Sequence, residues 1–159
     1  YFACKECGVP RSSKEIAEVF NLNVTVMTRG VKKCQETIFM NKNNKKRLTT
    51  KKSIKPFDFI ERFCNRLKID DIHDVQKIKD ICEIAVKHNI ITENTPPSIT
   101  SGCIYFYTSN QQKNISRKEI SDVCKISEVT INKCSKKLEE NLELFNEIVN
   151  NTKKDCDDA

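Results

Sequence analysis

Ser116 to Leu138 reads SRKEISDVCKISEVTINKCSKKL, and the fold turns on how this stretch is parsed. Ser116-x-x-Glu119 is a capping box, in which serine and glutamate side chains satisfy backbone donors left open at a helix start. Ile120, Val123 and Cys124 then form one apolar stripe, and Ile126, Ile131, Cys134 and Leu138 form a second, with a break at Lys125 to Ser127. Helix, three-residue turn and helix make the helix-turn-helix pattern. Such a turn crosses the helices steeply, so the N-terminal half of the second one projects and fits a major groove. Val129, Thr130, Asn132 and Lys133 are expected to face outward.

The same pattern occurs once more, 104 residues earlier and without gaps. Ser12-x-x-Glu15 repeats the capping box, and Lys14 to Val19 aligns with Lys118 to Val123. Ile16, Phe20, Leu22 and Met27 repeat the apolar arrangement. Arg29 aligns with Lys133, Lys32-Lys33 with Lys136-Lys137, and Tyr1-Phe2 with Tyr105-Phe106. Copy two is preceded by about fifty residues of helical pattern, while copy one begins in mid-pattern at Tyr1 with no signal peptide. The reading therefore expects a truncated first unit that has lost its front.

Upstream of copy two, Phe57, Ile60, Phe63, Cys64 and Leu67 form one stripe, and Val75, Ile78, Ile81, Cys82, Ala85 and Val86 another. Thr95-Pro96 has the form of an N-cap followed by proline at the first helical position. The helix through Ser98 to Tyr107 carries Ser101-Gly102-Cys103, small residues that let neighbours approach closely and suit the centre of a bundle. Five helices from Pro56 to Leu138 are predicted to form one compact unit.

Length and composition agree. The 159 residues (18.4 kDa) exclude a large multi-domain enzyme, and three Gly and four Pro leave little punctuation for a many-stranded sheet. The formal charge of +6 favours a polyanionic partner and is concentrated in residues 41–55, NKNNKKRLTTKKSIK, which contain no acidic residue and are read as a linker. The predicted organisation is thus 1–40, the C-terminal part of a first repeat; 41–55, a basic linker; 56–150, a second repeat; and 151–159, an acidic tail. Nine Cys and the sequons at Asn23, Asn114 and Asn150 fit a secreted protein, but Cys82, Cys103, Cys124 and Cys134 fall at apolar helical positions, where free thiols behave as small hydrophobes. A reducing compartment is expected. No apolar run approaches the roughly 18 residues of a membrane span, so a soluble chain is expected.

Several local patterns resemble the C-terminal core of the transcription factor IIB family. Gly8-Val9-Pro10-Arg11 leading into Lys14-Glu15-Ile16 is similar to the end of that family's first repeat. Arg62-Phe63-Cys64 with Leu67, Pro96 with Ser98, Ile104-Tyr105, and Lys118-Glu119-Ile120 with Val129-Thr130-Ile131 are similar to the second. The resemblance covers nearly the whole chain. It implies an all-α fold: a cyclin-like five-helix repeat ending in a helix-turn-helix, preceded by the last helices of another such repeat. It also implies a general initiation factor that clamps the TATA-binding protein on promoter DNA and recruits RNA polymerase, polymerase II by preference over polymerase III. Localisation would be the nucleus, or a viral factory if the Asn/Lys-rich composition reflects a large DNA virus.

Carried over by position, Val129 and Asn132 stand where family members contact bases upstream of TATA. Thr130, Lys133, Lys136, Lys137, Arg117 and Lys118 surround them, with Lys133, Lys136 and Lys137 near phosphates. The family often has Arg where this chain has Asn132; a bidentate guanine contact is then unavailable, and Asn suits adenine. Thr25, Thr28 and Arg29 are the equivalents in copy one, where the resemblance implies backbone contacts. Lys45, Lys46, Arg47, Lys51 and Lys52 would track phosphates or the acidic surface of the TATA-binding protein, or serve as a nuclear-import signal.

Other chemistry finds less support. Cys4-x-x-Cys7 lacks a second CxxC or a nearby His to complete a zinc site, and buried helical thiols are expected there instead. His73 and His88 stand alone, Asp70-Asp71 read as solvated, and no nucleophilic or paired-carboxylate constellation emerges, so neither catalysis, cofactor nor metal is expected. The competing reading is a cyclin-like protein-binding module, such as a kinase partner, that uses the same helices without DNA.

Overall fold

The structure is a computed structural model that describes residues 1–40, 54–92 and 94–150. Every regular element among them is helical, as the apolar periodicities require. The chain divides into two units, Tyr1–Ile54 and Lys55–Ala159.

The first unit contains α1 (Phe2–Glu6), α2 (Ser13–Val19) and α3 (Val24–Met40). The capping box starts α2: the Ser12 hydroxyl accepts from the Glu15 amide at 3.2 Å, and the Glu15 carboxylate accepts from the Ser12 amide at 2.8 Å. Asn21, at φ 50°, turns the chain out of α2, and the Asn23 side chain accepts from the Thr25 amide at 2.8 Å to open α3. Ile16 and Ala17 are buried, whereas Phe20 and Leu22 are 68% and 46% exposed and Met27 is half-buried. The expected apolar stripe thus exists without a core, because α2 against α3 is the one substantial helix pairing among the described residues of this unit. Cys7 is exposed and Cys4 half-buried, so the expectation of buried helical thiols at that pair does not hold.

The second unit contains α4 (Phe57–Arg66), α5 (Ile72–Lys87), α6 (Pro96–Asn110), α7 (Arg117–Cys124), α8 (Glu128–Glu139), a 3-10 turn (Leu142–Phe145) and α9 (Asn146–Asn150). α6 lies at the centre and packs against α4, α5, α7 and α8. Its small polar residues are buried because each hydroxyl has an acceptor: Thr100 donates to the Pro56 carbonyl before α4 at 2.8 Å, and within the helix Ser101 donates to Ser98 at 2.9 Å and Thr108 to Ile104 at 2.9 Å. Gly102 brings α6 and α8 together, since its hydrogen faces Cys134, whose Cα is 3.5 Å from where a Cβ on Gly102 would stand.

The outer helices bury the stripes read from the sequence, with corrections. Phe59 joins Ile60, Phe63 and Cys64 in the core, while Val86, expected in the apolar stripe of α5, is 42% exposed. Asp71 is exposed but caps α5, accepting from the His73 amide at 2.8 Å. Thr95 caps α6 without a side-chain bond to the backbone: the prolines at the first two helical positions offer no N–H, the Ser98 amide donates to the Thr95 carbonyl at 2.9 Å, and the Thr95 hydroxyl meets the Ser98 hydroxyl at 2.9 Å. Beyond α8 the chain folds back on α5, with Phe145 buried against Phe106 at 5.4 Å between ring centroids.

Cys64, Cys82, Cys103, Cys124 and Cys134 are buried free thiols. Burial pushes Cys64 up to about 12 and Cys134 up to about 11, and the hydrogen bond with Cys82 together with burial raises Cys103. Cys64, Cys103 and Cys134 remain protonated near neutrality and act as small apolar groups. No described helix is long and apolar enough to cross a membrane.

Candidate nucleic-acid interface

The helix-turn-helix of the second unit is built by local chemistry. Ser116 and Glu119 form the predicted capping box around the start of α7, with the Glu119 carboxylate accepting from the Ser116 amide at 2.7 Å and from its hydroxyl at 2.7 Å. These bonds hold the Glu119 carboxyl below its ordinary range. α7 ends at Lys125, whose left-handed φ of 58° reverses the chain, and the Ser127 hydroxyl accepts from the Thr130 amide at 3.3 Å to start α8. The same three devices occur at the same offsets in the first unit: a capping box at Ser12, a positive φ at Asn21 and a cap at Asn23.

α8 then has two faces. Ile131, Cys134, Ser135 and Leu138 are buried on the core side. On the other side Val129 is 66% exposed, Lys133 and Lys136 are exposed, and Asn132 and Lys137 are half-buried. These positions follow one another at helical spacing, so Val129, Asn132, Lys133 and Lys136 share an outward stripe. The Asn132 amide makes no hydrogen bond within the described residues and is free to meet a partner. Thr130 is half-buried, and its hydroxyl is engaged with that of Ser127 at 2.8 Å. Arg117 and Lys118 are exposed on α7, with the Arg117 guanidinium 5.5 Å from the centre of the Tyr105 ring.

In the first unit Thr25, Thr28 and Arg29 are exposed on α3, and the Thr28 hydroxyl donates to the Val24 carbonyl at 2.8 Å. The basic residues Lys45, Lys46, Arg47, Lys51 and Lys52 lie outside the described residues, as does the acidic tail 151–159.

Two features were not found from the sequence. Asn94, just before α6, donates to the Cys134 thiol at 3.2 Å and lines a depression of about 480 Å3 with Thr130, Lys133, Lys136, Lys137 and Glu140. Asp74 is buried in the first turn of α5, where it accepts from the Tyr107 hydroxyl at 2.5 Å and pairs with Lys113. Burial opposes its charge, but the bonds from Lys113 and Tyr107 prevail and hold the carboxyl below its usual range. Asp74 thereby ties α5 to α6 and to the loop that leads into α7. The sequence carried a hint only in Asn94 preceding the cap of α6; nothing local marks Asp74, whose partners are 33 and 39 residues away.

Residues 49–141 match the family described as Transcription factor TFIIB repeat. The chain belongs to the transcription factor IIB repeat family. Among similar proteins, the putative transcription initiation factor IIB-like protein of Acanthamoeba polyphaga mimivirus is 31% identical over 138 residues, 87% of this chain and 30% of that protein. Transcription initiation factor IIB of Dictyostelium discoideum is 31% identical over 139 residues, 87% of this chain and 40% of the relative. Its counterpart in Methanopyrus kandleri is 30% identical over 133 residues, 82% of this chain and again 40% of the relative. This repeat chain therefore spans well under half the length of these relatives, all of which are named as initiation factors or like them rather than as enzymes. The helical, cyclin-like repeat fold expected from the sequence agrees with this membership. Among the described residues of this repeat protein, no group of three or more His, Cys, Asp or Glu could hold a metal ion.

Proposed function

We propose that this chain acts in transcription initiation by binding the TATA-binding protein together with the promoter DNA that flanks the TATA element, and that it helps recruit RNA polymerase II. The observation that carries this reading is the outward stripe of α8, where an exposed valine and an unpartnered amide precede exposed lysines. A helix held at an angle by a capped turn and presenting such a face suits a major groove: side chains near its N-terminus meet base edges, and those further on meet phosphates. The first unit contributes Thr25, Thr28 and Arg29 as positioning contacts, and the basic residues of 41–55 track phosphates or an acidic protein surface. The chain then works where its promoters are, in a nucleus or, in view of the mimivirus relative, a viral factory.

A kinase-partner role would leave the unpaired lysines of α8 without a purpose. A gel-shift assay separates the two. The chain, the TATA-binding protein and TATA-containing duplex should give a ternary complex that weakens steeply between about 50 and 200 mM salt. Absence of any ternary shift at low salt would refute the reading.

A further inference from the structure

The loop that leads into each helix-turn-helix begins with the same backbone turn in both copies. After α6 the Gln111, Gln112 and Lys113 amides donate to the Tyr107, Ser109 and Thr108 carbonyls at 3.0, 3.3 and 2.9 Å, with Gln112 at φ 50°. After α1 the Cys7, Gly8 and Val9 amides donate to the Ala3, Lys5 and Cys4 carbonyls at 3.0, 3.2 and 3.0 Å, with Gly8 at φ 74°. Val9 occupies the place of Lys113 and is 51% exposed and uncharged. The turn therefore forms without a lysine, and the pairing of Lys113 with Asp74 answers a different need.

That pairing ties the loop to α5. Only 7% of the Asp74 side chain is exposed, and a carboxylate so enclosed keeps its charge through its donors. One donor, Tyr107, belongs to α6; the other, Lys113, stands on the loop, with Asn114 to Ser116 between it and the first residue of α7. Fixing Lys113 thus leaves the start of α7 little freedom. α7 needs such a constraint more than α8 does. It has eight residues and buries Ile120 and Cys124, whereas α8 buries Ile131, Cys134, Ser135 and Leu138 and lies against Gly102 of α6. Packing secures the second helix of the pair and holds the first one lightly.

Resting on the proposed DNA-binding role, we propose that Asp74 and Lys113 are positioning residues for DNA recognition: their bond holds α7 in the attitude in which the helix-turn-helix docks, and neither side chain touches DNA. With the bond broken α7 samples other attitudes, and the apparent affinity falls in proportion to the fraction of molecules still aligned. Those aligned molecules make the same contacts as before.

The experiment is a measurement of duplex binding by the full chain with the TATA-binding protein, at a temperature where melting curves show each variant folded. Asp74→Ala removes a negative charge, so electrostatics alone would tighten binding to a polyanion; loss of the anchor should instead weaken it roughly tenfold. Lys113→Met should weaken it to a similar degree with the slope of log affinity against log salt unchanged, and Lys113→Arg should restore it. Should Asp74→Ala not fold, Asp74→Asn combined with Lys113→Met leaves no unpaired charge and should bind no worse than Lys113→Met alone, because the two residues act as one unit. Tyr107→Phe loosens the carboxylate from α6 and spares the loop anchor, so it should lower the melting temperature and keep the affinity. Three results overturn the positioning role and leave the proposed function standing: unchanged or tighter binding by Asp74→Ala, a slope reduced by about one unit in Lys113→Met, which would make that lysine a phosphate contact, or an equal loss of affinity in Tyr107→Phe, which would reduce the cluster to general stability. Failure of the unsubstituted chain to bind overturns both.

Discussion

Gly102 and Cys134 touch so closely that α6 and α8 cannot accommodate a methyl group between them: a Cβ on Gly102 would overlap the Cβ of Cys134 and lie 3.5 Å from its Cα and carbonyl carbon. In an open helix, Gly→Ala adds about 1 kcal/mol of stability. Here the obstacle is the root of a side chain on a packed helix, which cannot swing aside, and overpacking costs about 1–3 kcal/mol. Gly102→Ala should therefore destabilise the second unit, and its thermal midpoint should fall. The double variant Gly102→Ala with Cys134→Gly should recover part of the loss, as calorimetry would reveal.

The Asp74 cluster makes stability depend on pH in two windows. Its depressed carboxyl contributes stability above the unfolded-chain pKa of about 3.9, and that contribution is lost as pH falls through the lower folded value. Burial and the bond to Asp74 raise the Tyr107 phenol, so its contribution is complete below about pH 10 and declines as pH rises through the higher folded value. Tyr107→Phe should cost about 1–3 kcal/mol near neutrality, because a buried carboxylate oxygen loses a donor. Urea titrations of both proteins across the pH range check the magnitude and the shape.

Asn132→Arg should strengthen binding to an upstream element that presents guanine to α8, by about 1–3 kcal/mol, since guanidinium bonds O6 and N7 together. The unsubstituted chain should prefer adenine at that base pair. Equal affinities for the guanine and adenine duplexes in both proteins would dispose of direct readout by this residue.

Lys125 carries a left-handed backbone at the bend between α7 and α8. Lys125→Val should destabilise by about 1–2 kcal/mol, because a branched Cβ crowds the following carbonyl in this region, whereas Lys125→Gly should be tolerated. Chemical denaturation measures the difference, and equal midpoints for the two variants would contradict it.

Much of the second unit was legible because its helices bury one stripe each and their starts carry recognisable caps. The Ser116 box, the break at Lys125 and the central helix with its small residues all follow from spacing along the chain. What escaped depends on partners far away in sequence. Asp74 looks like an ordinary first-turn carboxylate until Tyr107 and Lys113 are beside it, and Asn94 joins the lysines only after α6 has docked on α8. In the first unit the periodicity of Phe20 and Leu22 announced a buried face, but periodicity records which residues align and says nothing of whether a neighbour covers them.

The bend itself is specified in each copy by a handful of positions: a serine and a glutamate opening the first helix, one residue with positive φ, and a polar cap opening the second. None of these lies on the outward stripe. Presentation and reading are therefore separate inheritances, and the vocabulary of the second rod can be rewritten by drift while the grammar that aims it stays intact.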